Sequence, residues 1–183
     1  MMQNDLSEVL IPTAAIEARL DEMAAQIIEE YRGRELTVLS IMSGSLMFGA
    51  DLLRRIPLPL RIMCVSVSSY HGGTASTGKV TFHLPSLPDL QGRHVLILDD
   101  ILDTGLTLHA ISEKLARETA PLSAKICVLL RKRIDKPRPI DADYVGFDIV
   151  NEFVVGYGLD YQEKYRNLPY LGILRPELIT QEV

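Results

Sequence analysis

RHVLILDDILDTGLTL, from Arg93 to Leu108, decides how the rest of the chain is read. Val95, Leu96, Ile97 and Leu98 form an unbroken apolar run rich in branched side chains, the pattern of a strand buried on both faces. Two carboxylates, Asp99 and Asp100, follow at the strand's carboxyl end, and Asp103 opens a short loop through Thr104, Gly105, Leu106 and Thr107. Leu108, Ile111 and Leu115 then recur at helical spacing, so the unit reads strand, loop, helix. Open α/β sheets bind ligands at the carboxyl ends of such strands. Backbone N–H groups in the first turn of the next helix lack internal partners and suit an anion. Gly105 permits close backbone approach, and Thr104 and Thr107 add hydroxyls. The acidic pair suits sugar hydroxyls or a hydrated divalent cation, and Asp103 has the chemistry of a general base. A strand-end turn with a helix cap would use the same residue types, so the residues alone leave both readings open.

Working outward, 183 residues with 47% hydrophobic and 23% charged composition describe one ordinary globular domain. A net charge of -5 and a pI near 5.4 argue against a broad nucleic-acid or anionic-membrane surface, though a local basic cluster is compatible with them. Cys64 and Cys127 lie in apolar runs without metal-type spacing and are expected to be buried, reduced thiols of a cytoplasmic protein. MMQNDLSEVL has no basic start or apolar core, so no secretory leader is expected, and no apolar run approaches a membrane span.

Ile16, Leu20, Met23, Ile27 and Tyr31 predict an amphipathic helix that begins near Thr13 and stops at Gly33. Glu35 to Met42 predicts a central strand, and Ser43-Gly44-Ser45 a strand-to-helix turn with amides free for an anion. Leu60 to Ser68 predicts another strand, followed by glycine-rich HGGTASTG and a return strand near Lys79 to Leu84. Ser123 to Leu130 predicts a further parallel strand, ending in the basic stretch RKRIDKPRP. Phe153, Val154 and Val155 read as a plain strand with Asp160 in its turn.

VLILDDILDTGLTL resembles the phosphoribosyl-pyrophosphate (PRPP) signature of type I phosphoribosyltransferases, most closely the hypoxanthine-guanine branch. VGF, FVVGYGLDY and YRNLPY resemble that branch's purine-binding hood. The resemblance implies an α/β fold with a central, mostly parallel sheet of about five strands flanked by helices. It implies a single domain over residues 1–183, with a core near 35–135 and a hood from the N-terminal segment and about 140–180. It assigns the 5′-phosphate to the loop of Ile101, Leu102, Asp103, Thr104, Gly105, Leu106 and Thr107, and ribose to Asp99 and Asp100. Asp103 becomes the base that exchanges a proton with purine N7. Ser43 and Gly44 match the pyrophosphate loop, where Ser43 departs from the usual Lys or Asn, so only the backbone role carries over. Arg166 matches an arginine near pyrophosphate. Ser69 and Tyr70 match the start of a flexible loop that shields the transition state. Lys132 matches the donor to the purine's exocyclic oxygen, Phe153 the stacking aromatic, and Val154 the backbone that reads the purine edge. Asp160 matches a ligand of Mg2+, with Asp99 and Asp100 as further metal candidates. Asp99 departs mildly, since many relatives carry Glu there.

The implied activity is Mg-dependent transfer of 5-phosphoribosyl from PRPP to N9 of hypoxanthine or guanine, in a homodimer or homotetramer with no nucleic-acid or membrane partner. A sibling enzyme for xanthine, adenine or a pyrimidine is one rival. Lys132 disfavours a 6-amino base, because an ammonium only donates. An RNA-binding regulator on the same fold is the other, and the acidic balance opposes it.

Overall fold

The computed structural model describes residues 2–69, 80–83 and 87–179. In chain order the elements are β1 (Leu6–Ile11), α1 (Thr13–Glu30), β2 (Leu36–Met42), α2 (Ser45–Leu53), β3 (Leu60–Ser69), β4 (Val80–Phe82) and β5 (His94–Leu102). They continue with α3 (Leu106–Glu118), β6 (Ser123–Lys132), β7 (Tyr144–Ile149), β8 (Val154–Val155) and β9 (Leu171–Leu174). Short 3-10 turns precede β1 and follow β9.

The large sheet has the order β4-β3-β2-β5-β6-β7. β3, β2, β5, β6 and β7 run parallel, and β4 adds an antiparallel edge. Period-2 alternation separates two cores. Val38, Leu96, Leu98, Cys127 and Leu129 pack with α1 and α2, through Ile16, Leu20, Ile27, Phe48 and Leu52. Leu39, Ile41, Val95, Ile97, Ile126 and Val128 pack with α3, through Leu108, Ile111 and Leu115. Helices on both faces explain why the central strands read as continuous apolar runs. β2 is followed by β3 on one side of it, while β5 lies on the other. The loops after β2 and β5 therefore flank the crevice where strand order reverses, the usual ligand position in such sheets.

β1, β9 and β8 form a separate antiparallel sheet from segments far apart in the chain. This small sheet, called the hood below, takes β1 from the N-terminal segment and β8 and β9 from residues 154–174. Tyr144–Ile149, grouped with the hood by its motif, hydrogen-bonds instead as the last parallel strand of the large sheet, so the core continues past residue 140. Thr13 begins α1 but does not cap it; its hydroxyl donates to Pro169 O at 2.8 Å and fastens the helix start to the hood's approach. Cys127 is buried as expected, whereas Cys64 is exposed, because β3 is only partly covered. No described helix is long and apolar enough to cross a membrane.

Phe48 is fully buried between α2 and the sheet. Phe48→Ala should cost about 3–5 kcal/mol of stability, seen as a lower urea midpoint at unchanged m-value.

Candidate active site

β5 delivers its acidic pair where the sheet ends and water begins. Asp99 is 8% exposed and Asp100 half-buried. Asp99 Oδ1 accepts the Asp100 backbone N–H at 3.0 Å. Burial, and then the neighbouring charge of Asp100, push the Asp99 carboxyl well above its ordinary range. Burial also raises Asp100, against the opposing pull of the Arg166 charge. Beyond the pair, Gly105 takes the left-handed conformation at φ 81° and starts α3, and its carbonyl accepts the His109 N–H at 2.9 Å. Thr104 is exposed and Thr107 and Leu106 are half-buried around the opening of the helix. Leu102 is fully buried in the α3-side core, so only its backbone can face a phosphate.

The opposite wall is the turn after β2. Ser45, fully buried at the head of α2, donates to Ile41 O at 2.5 Å and contacts Ser40 Oγ at 2.8 Å. That anchoring leaves Ser43 exposed, next to a cis Met42–Ser43 peptide. Gly44 and Gly158 are glycines for want of space. A Cβ on Gly44 would lie 1.7 Å from Asp100 Oδ2, and one on Gly158 would lie 2.1 Å from Gly44 O. Arg166 locks the second loop, donating to Gly158 O at 2.7 Å and pairing with Asp160 Oδ1 at 2.7 Å. Asp160 Oδ2 accepts the Glu163 N–H at 2.8 Å.

The third side is mixed. Lys132, whose side chain is 14% exposed, puts its ammonium 3.2 Å from Asp103 Oδ2. Phe153 is exposed, and Tyr161 meets its ring edge-on at 5.5 Å. Val154 is buried in β8 opposite Ile173, leaving its main chain as the part available to a ligand. A cleft of about 200 Å³ is lined by Asp100, Ile101, Asp103, Lys132, Phe153, Val154, Leu159 and Asp160.

Seven of those eight were singled out by the sequence motifs; Leu159 was not. Asp99, Ser43, Gly44 and Arg166 do not line the cleft, but Gly44 abuts Asp100 and Arg166 pairs with Asp160, both of which do. Ser69 closes β3 opposite Val80, and Tyr70 lies outside the described residues. Tyr161 and Arg138 also escaped the sequence reading. Arg138 Nε donates to Asp103 O at 2.5 Å, and its Nη2 donates to Lys132 O. An arginine in a proline-punctuated basic run carries no signal of such contacts.

Chemically, the cleft brings the carboxylates of Asp100, Asp103 and Asp160 together with an ammonium and an aromatic face. Asp99, Asp100 and Asp160 themselves offer only carboxylate oxygens, the donor type that suits a hard cation. The described residues contain no group of three or more His, Cys, Asp or Glu able to hold a metal by themselves.

Residues 10–162 match the phosphoribosyl transferase domain. The chain is 46% identical to a hypoxanthine-guanine phosphoribosyltransferase of Staphylococcus aureus, covering 98% of this chain and 99% of the relative. It is 42% identical to one from Streptococcus pneumoniae, again over 98% and 99%. The crystal structure of a hypoxanthine phosphoribosyltransferase from Staphylococcus aureus superposes with a TM-score of 0.90 at 46% identity, covering 98% of this chain and 97% of that one.

The raised carboxyl of Asp99 has a consequence for stability. A folded-state pKa above the unfolded value favours the protonated form, so its stabilising effect is present below about pH 4 and lost as pH rises through the raised value. Asp99→Asn mimics the protonated acid. The ligand-free variant should therefore melt higher than the parent at pH 7–8, with the difference closing toward pH 4. Equal melting temperatures at pH 8 would contradict this.

Proposed function

This chain belongs to the phosphoribosyl transferase family, and from that premise we propose that it transfers 5-phosphoribosyl from PRPP to N9 of hypoxanthine and guanine. The products are IMP or GMP and pyrophosphate, and the role is purine salvage. The observation that carries the reading is the Asp103–Lys132 pair at 3.2 Å beside the Phe153 ring. Purine O6 and N7 are neighbouring acceptors on one edge of the base. In the 7H tautomer of a 6-oxo purine the N7 site carries a proton instead. A carboxylate to take that proton and an ammonium to donate to O6 complement such an edge, side by side. Phe153 offers an apolar face to the ring.

The reaction balances on these groups. The N9 lone pair bonds to C1′ of the ribose, the C1′–oxygen bond to pyrophosphate breaks, and the N7 proton passes to Asp103. Asp99 and Asp100 accept hydrogen bonds from the 2′- and 3′-hydroxyls, which also relieves the crowding of their charge. Amides at the head of α3, with Thr104 and Thr107, take the 5′-phosphate. The Ser43–Gly44 backbone and Arg166 receive pyrophosphate.

Magnesium is part of the proposal: it would neutralise the leaving pyrophosphate, held by Asp160 with Asp99 and Asp100. A cytoplasmic homodimer or homotetramer is also part of it. Two unpaired cysteines suit a reducing compartment, and exposed Leu46 and Met47 on α2 offer an apolar contact patch.

A spectrophotometric assay with PRPP and magnesium, run separately on hypoxanthine, guanine, xanthine and adenine, should show turnover with the first two, lost on chelation. Silence on all four would refute the reading, and turnover of xanthine alone would change the substrate. Asp103→Asn should lower kcat on the order of 10²–10⁴-fold with PRPP affinity little changed. Lys132→Met should reduce the preference for hypoxanthine over adenine by tenfold or more, on the order expected when a donor matched to an acceptor is lost.

A further inference from the structure

We propose that Arg138 is a positioning residue that sets the distance between Asp103 and Lys132 and so tunes recognition of the purine's N7–O6 edge. This rests on the phosphoribosyltransfer reading of the site. Asp103 stands in the loop after β5, and Lys132 is the last residue of β6, so the pair's spacing depends on how that loop is held against the strand end. Arg138 spans the two. Its Nε donates to Asp103 O at 2.5 Å and its Nη2 to Lys132 O, both main-chain carbonyls of the residues whose side chains form the pair. The guanidinium is partly buried, and its planar fork lets one side chain satisfy two carbonyls at a fixed separation. A lysine ammonium lacks that rigid fork. The following residues reinforce the clamp: Ile140 packs 3.5 Å from where a Gly105 Cβ would stand, against the same loop. The α3 head is held independently by the core and by the His109–Gly105 bond. Loss of Arg138 should therefore disturb the base-recognition pair more than the phosphate site.

The test compares Arg138→Ala and Arg138→Lys with the parent. Arg138→Ala should lower kcat and raise KM for hypoxanthine. The combined loss in kcat/KM should be on the order of tenfold to a hundredfold, the scale of a reacting group misplaced by about an ångström. KM for PRPP should move far less, and millimolar guanidinium should restore part of the rate. Arg138→Lys should lie nearer to Arg138→Ala than to the parent. An activity-free readout separates this inference from the functional reading. On reductively ¹³C-methylated protein, the Lys132 resonance, identified by its loss in Lys132→Arg, should shift on Asp103→Asn in the parent background. In the Arg138→Ala background it should not. A parent enzyme inactive on every purine would refute the reaction while leaving the NMR test of the clamp standing. Arg138→Ala with kinetic constants within about twofold of the parent would overturn the proposal. So would a Lys132 response to Asp103→Asn that survives in Arg138→Ala, or a rate loss that follows melting temperature and ignores guanidinium.

Discussion

Gly158 presses against the carbonyl of Gly44, and Gly44 presses in turn against the carboxylate of Asp100, with no room at either glycine for a single added carbon. Three segments that are distant in sequence thus meet without room for a side chain on either glycine: the turn after β2, the end of β5 through the Asp100 carboxylate, and the hood loop. Each depends on the others. The turn is held by buried Ser45, the hood loop by Arg166, and the acidic pair by the sheet beneath it. Contacts this close at the edge of the cleft hold its walls in register, since Gly158 cannot shift toward Gly44 without moving main chain.

The electrostatics follow from that packing. Removing water from Asp99 and Asp100 makes their charges costly, and Arg166 offsets part of the cost at Asp100 while also pairing with Asp160. Asp103 meets Lys132 instead, in a more open position. The cleft therefore holds two kinds of carboxylate: a buried pair that gains from hydrogen-bond donors or a cation, and a solvated one beside an ammonium. Environment divides the labour among chemically identical groups.

How much of this was legible beforehand depended on whether a feature is local. Four of the five parallel strands announced themselves as apolar runs, and α1 and α3 by their 3.6-residue stripes, because burial imposes those periods directly, whereas β7 was read as part of the hood. The β5–α3 loop was legible for the same reason: strand, acids, glycine and helix are contiguous. β1 and β9 were not legible as a pair. They are short, and Leu6 and Leu174 meet across nearly the whole chain. Leu102 belonged to the phosphate motif by position, yet its side chain is buried in the α3-side core with Val95 and Ile97, where strict strand alternation would not have put it. Cys64 shares the apolar run of β3, but coverage of an outer strand is decided by what packs over it. Arg138 and Tyr161 were invisible because their partners are chosen only when separate elements converge.

The hood has a further implication for how the protein is made. β9 is needed by both β1 and β8, and it comes almost last in the chain. A nascent chain on the ribosome can assemble the parallel sheet once β7 has emerged, but β1 must wait, unpaired, until residue 174 is synthesised. Val9 on β1 and Phe153 just before β8 stay exposed even in the finished fold, so this interval presents an apolar strand edge of the kind that recruits chaperones or aggregates. The wall of the cleft that carries Phe153 and Val154 is the last part of the domain to form.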